Sequence, residues 1–213
     1  MRISSFSLRI TASLGLVLVN AIASAAQLTV QVNDAAGLGL ADAVVYAEPA
    51  AGQPVPKALR AIQIEQKGRK FSPLVSVVQI GTEISFPNND TVRHHVYSFS
   101  PAKIFDIKLY SGDPGSPGPF DKPGTVVVGC NIHDQMVAYI HVVNTPYFAK
   151  TDATGKIKID GLPAGKYQLK VWHFGTPAGT PIAEQALSVS EPEATASFKL
   201  NVKAAAAGTA ASY

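Results

Sequence analysis

The chain has 213 residues, a formal net charge of +3 and one cysteine. Charged residues make up only 15% of it and are scattered, which gives no electrostatic case for a nucleic-acid or anionic-membrane partner. One cysteine excludes an internal disulfide, and the length allows one large or two small domains.

Arg2 and Arg9 give a short basic start, and "ITASLGLVLVNAIASA" then runs without a charge. The small residues of "ASAA" suit cleavage after Ala25 or Ala26, so residues 1–26 are predicted to be a secretory signal peptide and the mature protein to be periplasmic. The run is short for a membrane span and no second long apolar run follows, so no span is expected after cleavage. Cleavage removes two arginines and no acid, taking the formal charge from +3 to +1.

From there the signals are β. "QLTVQVND" alternates, "AAGLGL" breaks the pattern, and "ADAVVYAEP" has the character of a buried strand. Residues 54–70 are polar and irregular and are expected to be a linker. "FSPLVSVVQIGTEISFPNND" reads as two strands joined at Gly81-Thr82, and "HHVYSFS" as another. "SGDPGSPGPFDKPG", residues 111–124, is predicted to be an exposed loop. "TVVVGC" and "MVAYIHVVN" are strands flanking the cysteine motif. "KIKIDGLPAGKYQLKVWHF" gives two strands around a turn, "ATASFKL" gives the last strand, and residues 202–213 are small and polar enough to stay disordered. No segment holds a helical period over three turns. Many short strands with frequent turns predict an all-β sandwich architecture.

Two separated stretches, "LTVQVNDAAGLGLADAVVYAEP" and "TDATGKIKIDGLPAGKYQLKVWHFG", resemble the front and back of the carboxypeptidase regulatory-like domain, a small transthyretin-type β-sandwich. Asp34, Gly37, Ala43 and Val45 match its first half. Thr151, Asp152, Gly155, Leu162, Pro163, Gly165, Tyr167, Leu169 and Val171 match its second. Inserting a segment into a surface loop costs little, because closure entropy grows slowly with length. The resemblance therefore implies halves at residues 27–56 and 146–201, with residues 57–145 inserted between them as a second domain.

That second segment holds "VGCNIHDQM". In an oxidising compartment a lone thiol is a liability unless it is buried or bonded. Buried inertness is the ordinary fate of a free cysteine, so its neighbours decide. A one-electron copper site needs donors acceptable to both Cu(I) and Cu(II), and two imidazoles, one thiolate and a long axial thioether meet that need. Cys130, His133 and Met136 supply three of the four in a C-x2-H-x2-M spacing that one tight loop can present to one point. The second imidazole has to arrive from another strand, and "FPNNDTVRHHVYS" offers His94 and His95.

Residues 70–144 resemble the cupredoxins. "VVQIGTEISFPNND" is similar to that family's Val-x-x-Gly-Asp/Thr-x-Val-x-Phe-x-Asn strand pair, and the cysteine loop has the length found in amicyanin. Placing Asn88-Asn89 on the family's Asn-Asn puts His94 at the ligand position, on a face with Val96 and Ser98. A shift of one residue would put His95 there instead, beside Tyr97 and Phe99. The resemblance thus implies a cupredoxin Greek-key β-sandwich with a type 1 copper ion held by His94, Cys130, His133 and Met136, His95 being the alternative to His94. The chain departs from the family at Val128-Gly129, where an aromatic often stands, at Asp134 and Gln135, where amicyanin has Pro and Phe, and at Arg93, which replaces a proline. These departures bear on surface chemistry and partner more than on ligation.

Among the remaining candidates, His141 is expected at an exposed strand position and His173 in a hydrogen-bonded surface role. Asn131 is a candidate for tying the cysteine loop to the histidine strand through its amide. Asp90 is a candidate for the same support, though turn formation explains it equally well. With no Ser-His-Asp order, phosphate-binding glycine loop or paired carboxylates, the reading is a periplasmic electron carrier rather than an enzyme. Its expected partner is a redox protein, a dehydrogenase or a cytochrome c, and some two-module proteins of this appearance are labelled methylamine utilization proteins. The alternatives are copper handling without electron transfer, or a non-metal structural or carbohydrate-binding module of the envelope.

Overall fold

A computed structural model describes residues 25–202. The predicted signal segment up to residue 24 and the predicted tail from residue 203 lie outside the described residues. Val202, assigned above to the tail, is instead buried, and its carbonyl accepts the Ala35 N–H at 3.2 Å.

The described residues are all β, with no helix among them and hence none long and apolar enough to cross a membrane. The strands in chain order are β1 (Ala26–Asn33), β2 (Val44–Pro49), β3 (Ile62–Gln63), β4 (Glu65–Gln66), β5 (Phe71–Ser72) and β6 (Val75–Gln79). Next come β7 (Ile84–Ser85), β8 (His94–Ser100), β9 (Lys103–Tyr110), β10 (Gly124–Cys130) and β11 (Val137–Val143). The last are β12 (Phe148–Lys150), β13 (Lys156–Leu162), β14 (Gly165–Trp172), β15 (Ala183–Val189) and β16 (Glu193–Lys199).

Strands from the two ends of the chain share one core. The sheet β13-β1-β16 and the sheet β12-β2-β14-β15 enclose Leu28, Val30, Val45, Ile159, Leu169 and Phe198, among others. β1 alternates strictly between buried and half-buried residues, as period-2 geometry requires of a strand with one face on a core. The turns fit the same design. Asp34 Oδ1 accepts the N–H groups of Ala36 and Leu38, and Asp152 Oδ1 accepts those of Thr154 and Lys156. Gly155 sits at φ +76°, where a Cβ would lie 2.2 Å from the Val32 carbonyl oxygen, so the second turn is pressed against the first strand.

The middle of the chain builds a second core. Its five-stranded sheet runs β6-β11-β10-β8-β9, and Phe86, Val96, Phe120, Val126, Val128 and Ile140 fill the space beneath it. The expected linker is ordered here. Only its first part is wholly surface, because β3 pairs with β7 and Ile64 and Gln66 are fully buried. The two strands predicted around Gly81-Thr82 form, but in different sheets: β6 pairs with β11 and β7 with β3. β9 and β15 were not anticipated. The loop at 111–124 is largely exposed, and Phe120 pins it to the core, a burial that contributes roughly 2–3 kcal/mol.

The two cores meet through β2 and β11. Both faces of β2 are buried because Val45 and Ala47 face the first core while Val44 and Tyr46 pack with Val75 and Val143 of the second sheet. Tyr139 stacks on Phe174 at 5.0 Å, and His141 stacks on Trp172 at 4.8 Å.

Candidate metal centre

β8 carries His94, Val96 and Ser98 on its inner face, all with zero exposure, which leaves His95, Tyr97 and Phe99 on the outer one. β10 runs antiparallel beside it, pairing Cys130 with Val96, so the cysteine side chain also points inward. A tight turn follows. The Cys130 N–H donates to the Met136 carbonyl at 3.2 Å and the Met136 N–H to the His133 carbonyl at 2.9 Å. This closure brings His133 back over Cys130 and buries the Met136 side chain in the same core cluster. The loop is fastened to the histidine strand by the Asn131 backbone N–H, which donates to the His95 carbonyl at 3.3 Å; the tie expected of Asn131 is thus made by its main chain.

Three donors converge. His94 Nδ1 lies 3.8 Å from Cys130 Sγ, His133 Nδ1 lies 3.7 Å from the same sulfur, and the two Nδ1 atoms are 3.2 Å apart. Every ligand atom of this trio lies within 4.8 Å of the others. Two imidazole nitrogens at such a distance cannot face each other as bare lone pairs, so a proton or a cation has to lie between them. Two imidazoles and a thiol sulfur suit a soft or borderline metal, copper or zinc, rather than magnesium or calcium. The residues present therefore fit a bound transition-metal ion.

The far nitrogen of His94 has its own partner. Nε2 lies 3.1 Å from Asp90 Oδ2, and that oxygen also accepts the Arg69 N–H at 2.7 Å. The Arg69 N–H first, and the His94 ring second, hold the Asp90 carboxyl down to about 2. Asn88 fixes the turn that carries Asp90. Its Oδ1 accepts the Asp90 N–H at 2.9 Å, and its Nδ2 donates to the carbonyls of Val92 and Tyr110 at 3.0 and 2.9 Å. Behind it the Tyr110 hydroxyl donates to the Phe86 carbonyl at 2.5 Å, and burial pushes this phenol up to about 12.

His95 takes no part in the cluster. Its Nε2 bonds to Asp106, which also pairs with Lys108, on the outer face of the sheet. Two other histidines differ from expectation. His141 is 3% exposed rather than surface-facing, because the other sandwich covers the outer side of β11. Its ring lies between Trp172 and Tyr46, and Nδ1 is 3.1 Å from the Thr125 hydroxyl. Burial lowers it to about 4. His173 is likewise buried, not a surface group. Its Nδ1 accepts the Gly175 N–H at 3.0 Å, and burial lowers its pKa. Sequence reasoning missed the clamp made by Asn88 and the turn that delivers the Arg69 N–H. The Asn-Asn-Asp run was the available signal for the first, and nothing in the sequence signalled the second.

No family model and no curated protein matches the chain. Among solved structures it is similar to a purple cupredoxin from Nitrosopumilus maritimus, with 21% identity and a TM-score of 0.34 over 38% of this chain and 99% of that one. It is also similar to amicyanin from Paracoccus versutus, with 17% identity and a TM-score of 0.36 over 46% and 91% of the two chains. A copper-containing nitrite reductase from Thermus scotoductus SA-01 matches with 25% identity and a TM-score of 0.36, over 45% of this chain and 26% of that one.

Proposed function

We propose that the protein is a copper-binding electron carrier of cupredoxin type, with a copper ion held by His94, Cys130 and His133 and with Met136 as a fourth, weaker donor. The convergence of Sγ and two Nδ1 atoms, one from β8 and two from the cysteine loop, carries this reading. A copper ion held by these residues would supply one-electron chemistry between Cu(II) and Cu(I), which their mix of imidazole and sulfur donors suits.

The protein's own residues supply the setting. His94 and Cys130 are buried at 0% and 3% exposure, so two donors sit in a low-dielectric core from which water is excluded. Both stand on paired strands, and the turn to Met136 is closed by two backbone hydrogen bonds, so the donors keep one geometry whatever the charge between them. His133 is the half-buried member of the trio, and Ile132 beside it is 50% exposed. An exposed apolar side chain next to the one surface-reaching ligand suits a partner protein's contact face.

The expected partner is a redox protein, a dehydrogenase or cytochrome c, with the carrier working in the periplasm after signal cleavage, for which Ala25 is the better of the two predicted sites because Ala26 opens β1 and is buried in the first core; the methylamine utilization label belongs with that reading. We read residues 57–145 as the copper domain and the flanking halves as the carboxypeptidase regulatory-like module. The test is to load the protein with Cu(II) and record its visible and electron paramagnetic resonance spectra. An intense thiolate-to-copper band with a narrow parallel hyperfine splitting, lost in Cys130→Ser, supports the reading. Reversible Cu(I) exchange with no coloured Cu(II) form would make the protein a copper handler instead. No metal uptake at all would leave a structural module.

A further inference from the structure

We propose that Asp90 is the positioning residue of this centre: backed by the Arg69 main-chain N–H, its carboxylate holds the Nε2 proton of His94, reserves the Nδ1 lone pair for the metal and favours Cu(II) over Cu(I). The inference rests on the reading of His94, Cys130 and His133 as copper ligands.

A neutral imidazole has one N–H and one lone pair, and an ionised carboxylate only accepts. With Asp90 Oδ2 at 3.1 Å from Nε2, the proton belongs on Nε2 and the lone pair on Nδ1, the atom that faces Cys130 and His133. His94 is fully buried and the Asp90 side chain is 12% exposed, so water competes weakly for this bond. An anionic acceptor on the far side of a ligand ring makes the ring a stronger donor, which stabilises the more highly charged ion.

The carboxylate is itself held from outside the site. Lys67 and Lys70 exchange backbone hydrogen bonds at 3.1 and 3.2 Å around Gly68 and Arg69, which lie at φ +60° and +58°. Two consecutive left-handed residues make the tight hairpin turn that usually draws on glycine or asparagine. Arginine there is costly, and such outliers gather where the surroundings over-determine them. In this turn the Arg69 N–H points at Asp90 Oδ2, 2.7 Å away, while the Thr91 N–H holds Oδ1 at 3.0 Å. Both carboxylate oxygens are thereby fixed, and one of them stays on His94.

The test compares wild type, Asp90→Asn and Asp90→Ala by nitrogen-15 NMR of the metal-free histidines, then by Cu(II) affinity and voltammetry. Wild type is expected to show His94 as a single Nε2-protonated tautomer. Asp90→Asn still offers an oxygen and keeps the tautomer, yet loses about tenfold in Cu(II) over Cu(I) preference, a rise of about 59 mV for one electron. Asp90→Ala mixes the tautomers and loses roughly 10- to 100-fold in Cu(II) affinity. An Nδ1-protonated His94 in wild type would overturn the proposal. So would an Asp90→Ala protein with unchanged tautomer and affinity. Should that variant not fold, an unchanged potential in Asp90→Asn overturns it alone. If no variant or wild type binds copper, the functional reading fails while the tautomer comparison still decides the role of Asp90.

Discussion

His94 and His95 are consecutive, yet their rings lie on opposite sides of the sheet: His94 Nδ1 is 3.8 Å from the Cys130 sulfur, and His95 Nε2 meets Asp106 on the outer face. The strand period of two makes this separation obligatory once Val96 and Ser98 face the core. The expected outcome is that His94→Ala abolishes the thiolate-to-copper band and His95→Ala leaves it intact. Absorption spectra of the two Cu(II)-treated variants check this. A band that survives in His94→Ala would assign the ligand wrongly.

Met136 separates packing from ligation. It is 2% exposed and shares a core with Cys130, so Met136→Ala opens a cavity and costs about 2–5 kcal/mol whether or not metal is present. Met136→Leu conserves volume and costs less than about 1.5 kcal/mol. Leucine cannot donate to copper, so this variant is expected to stay folded and blue with a higher reduction potential, because a weak donor to the ion has been removed. Denaturation and voltammetry on the same sample separate the two effects. An unchanged potential in Met136→Leu would show that Met136 is packing alone.

Gly155 tests whether the chain's two ends depend on each other for folding. At φ +76°, with the Val32 carbonyl oxygen 2.2 Å from its ideal Cβ position, an alanine meets both backbone strain and a main-chain clash. Gly37, at φ +88°, has nothing within 4 Å of that position, so its alanine variant meets strain only. Gly37→Ala should cost roughly 1–2 kcal/mol, and overpacking at Gly155 adds about 1–3 kcal/mol more. Urea unfolding of both variants measures the gap, and equal losses would contradict the close approach of the Gly155 turn to β1.

The meeting of His94, Cys130 and His133 was legible in the sequence because a lone cysteine, a loop histidine and a strand with alternating faces restrict one another. The support of those donors was not. Asp90 reads as an ordinary turn residue, and its partner Arg69 acts through a main-chain N–H whose direction depends on a left-handed conformation that arginine does not advertise. The segment around Gln66 looked like linker because it is polar, but Gln66 is buried with its amide on the Phe86 carbonyl, so polarity there reports internal hydrogen bonding rather than exposure. β9 escaped notice because it lies at the sheet edge, where burial alternates from Lys103 to Lys108 but apolarity does not: Ile104 and Leu109 are exposed, and Lys103 stands on the inward face. His141 failed for the opposite reason. Alternation put it correctly on the outer face of β11, but that face is covered by a sandwich built from distant sequence.

The covering of His141 makes stability depend on pH. The ring sits between Trp172 and Tyr46 with the Thr125 hydroxyl on Nδ1, and among the described residues no basic group bonds to it; Glu48 and Glu184 act on the Tyr46 side. Burial lowers its pKa from 6.5 to about 4. Above 6.5 both folded and unfolded states are neutral at this position, and the full contribution to stability is present. Between 6.5 and about 4 the unfolded chain binds a proton that the folded one refuses, so stability falls as the pH falls, by on the order of 3 kcal/mol in all. His173, also lowered by burial, adds a loss in the same direction. Neither ring touches the His94–Cys130–His133 cluster, so the effect belongs to the metal-free protein as well. His141→Phe keeps a ring against Trp172 and removes the proton site. Denaturant unfolding at pH 7 and pH 4.5 should show a smaller acid loss in this variant than in wild type, with the His173 share remaining. Equal losses in the two proteins would mean that acid enters the fold elsewhere.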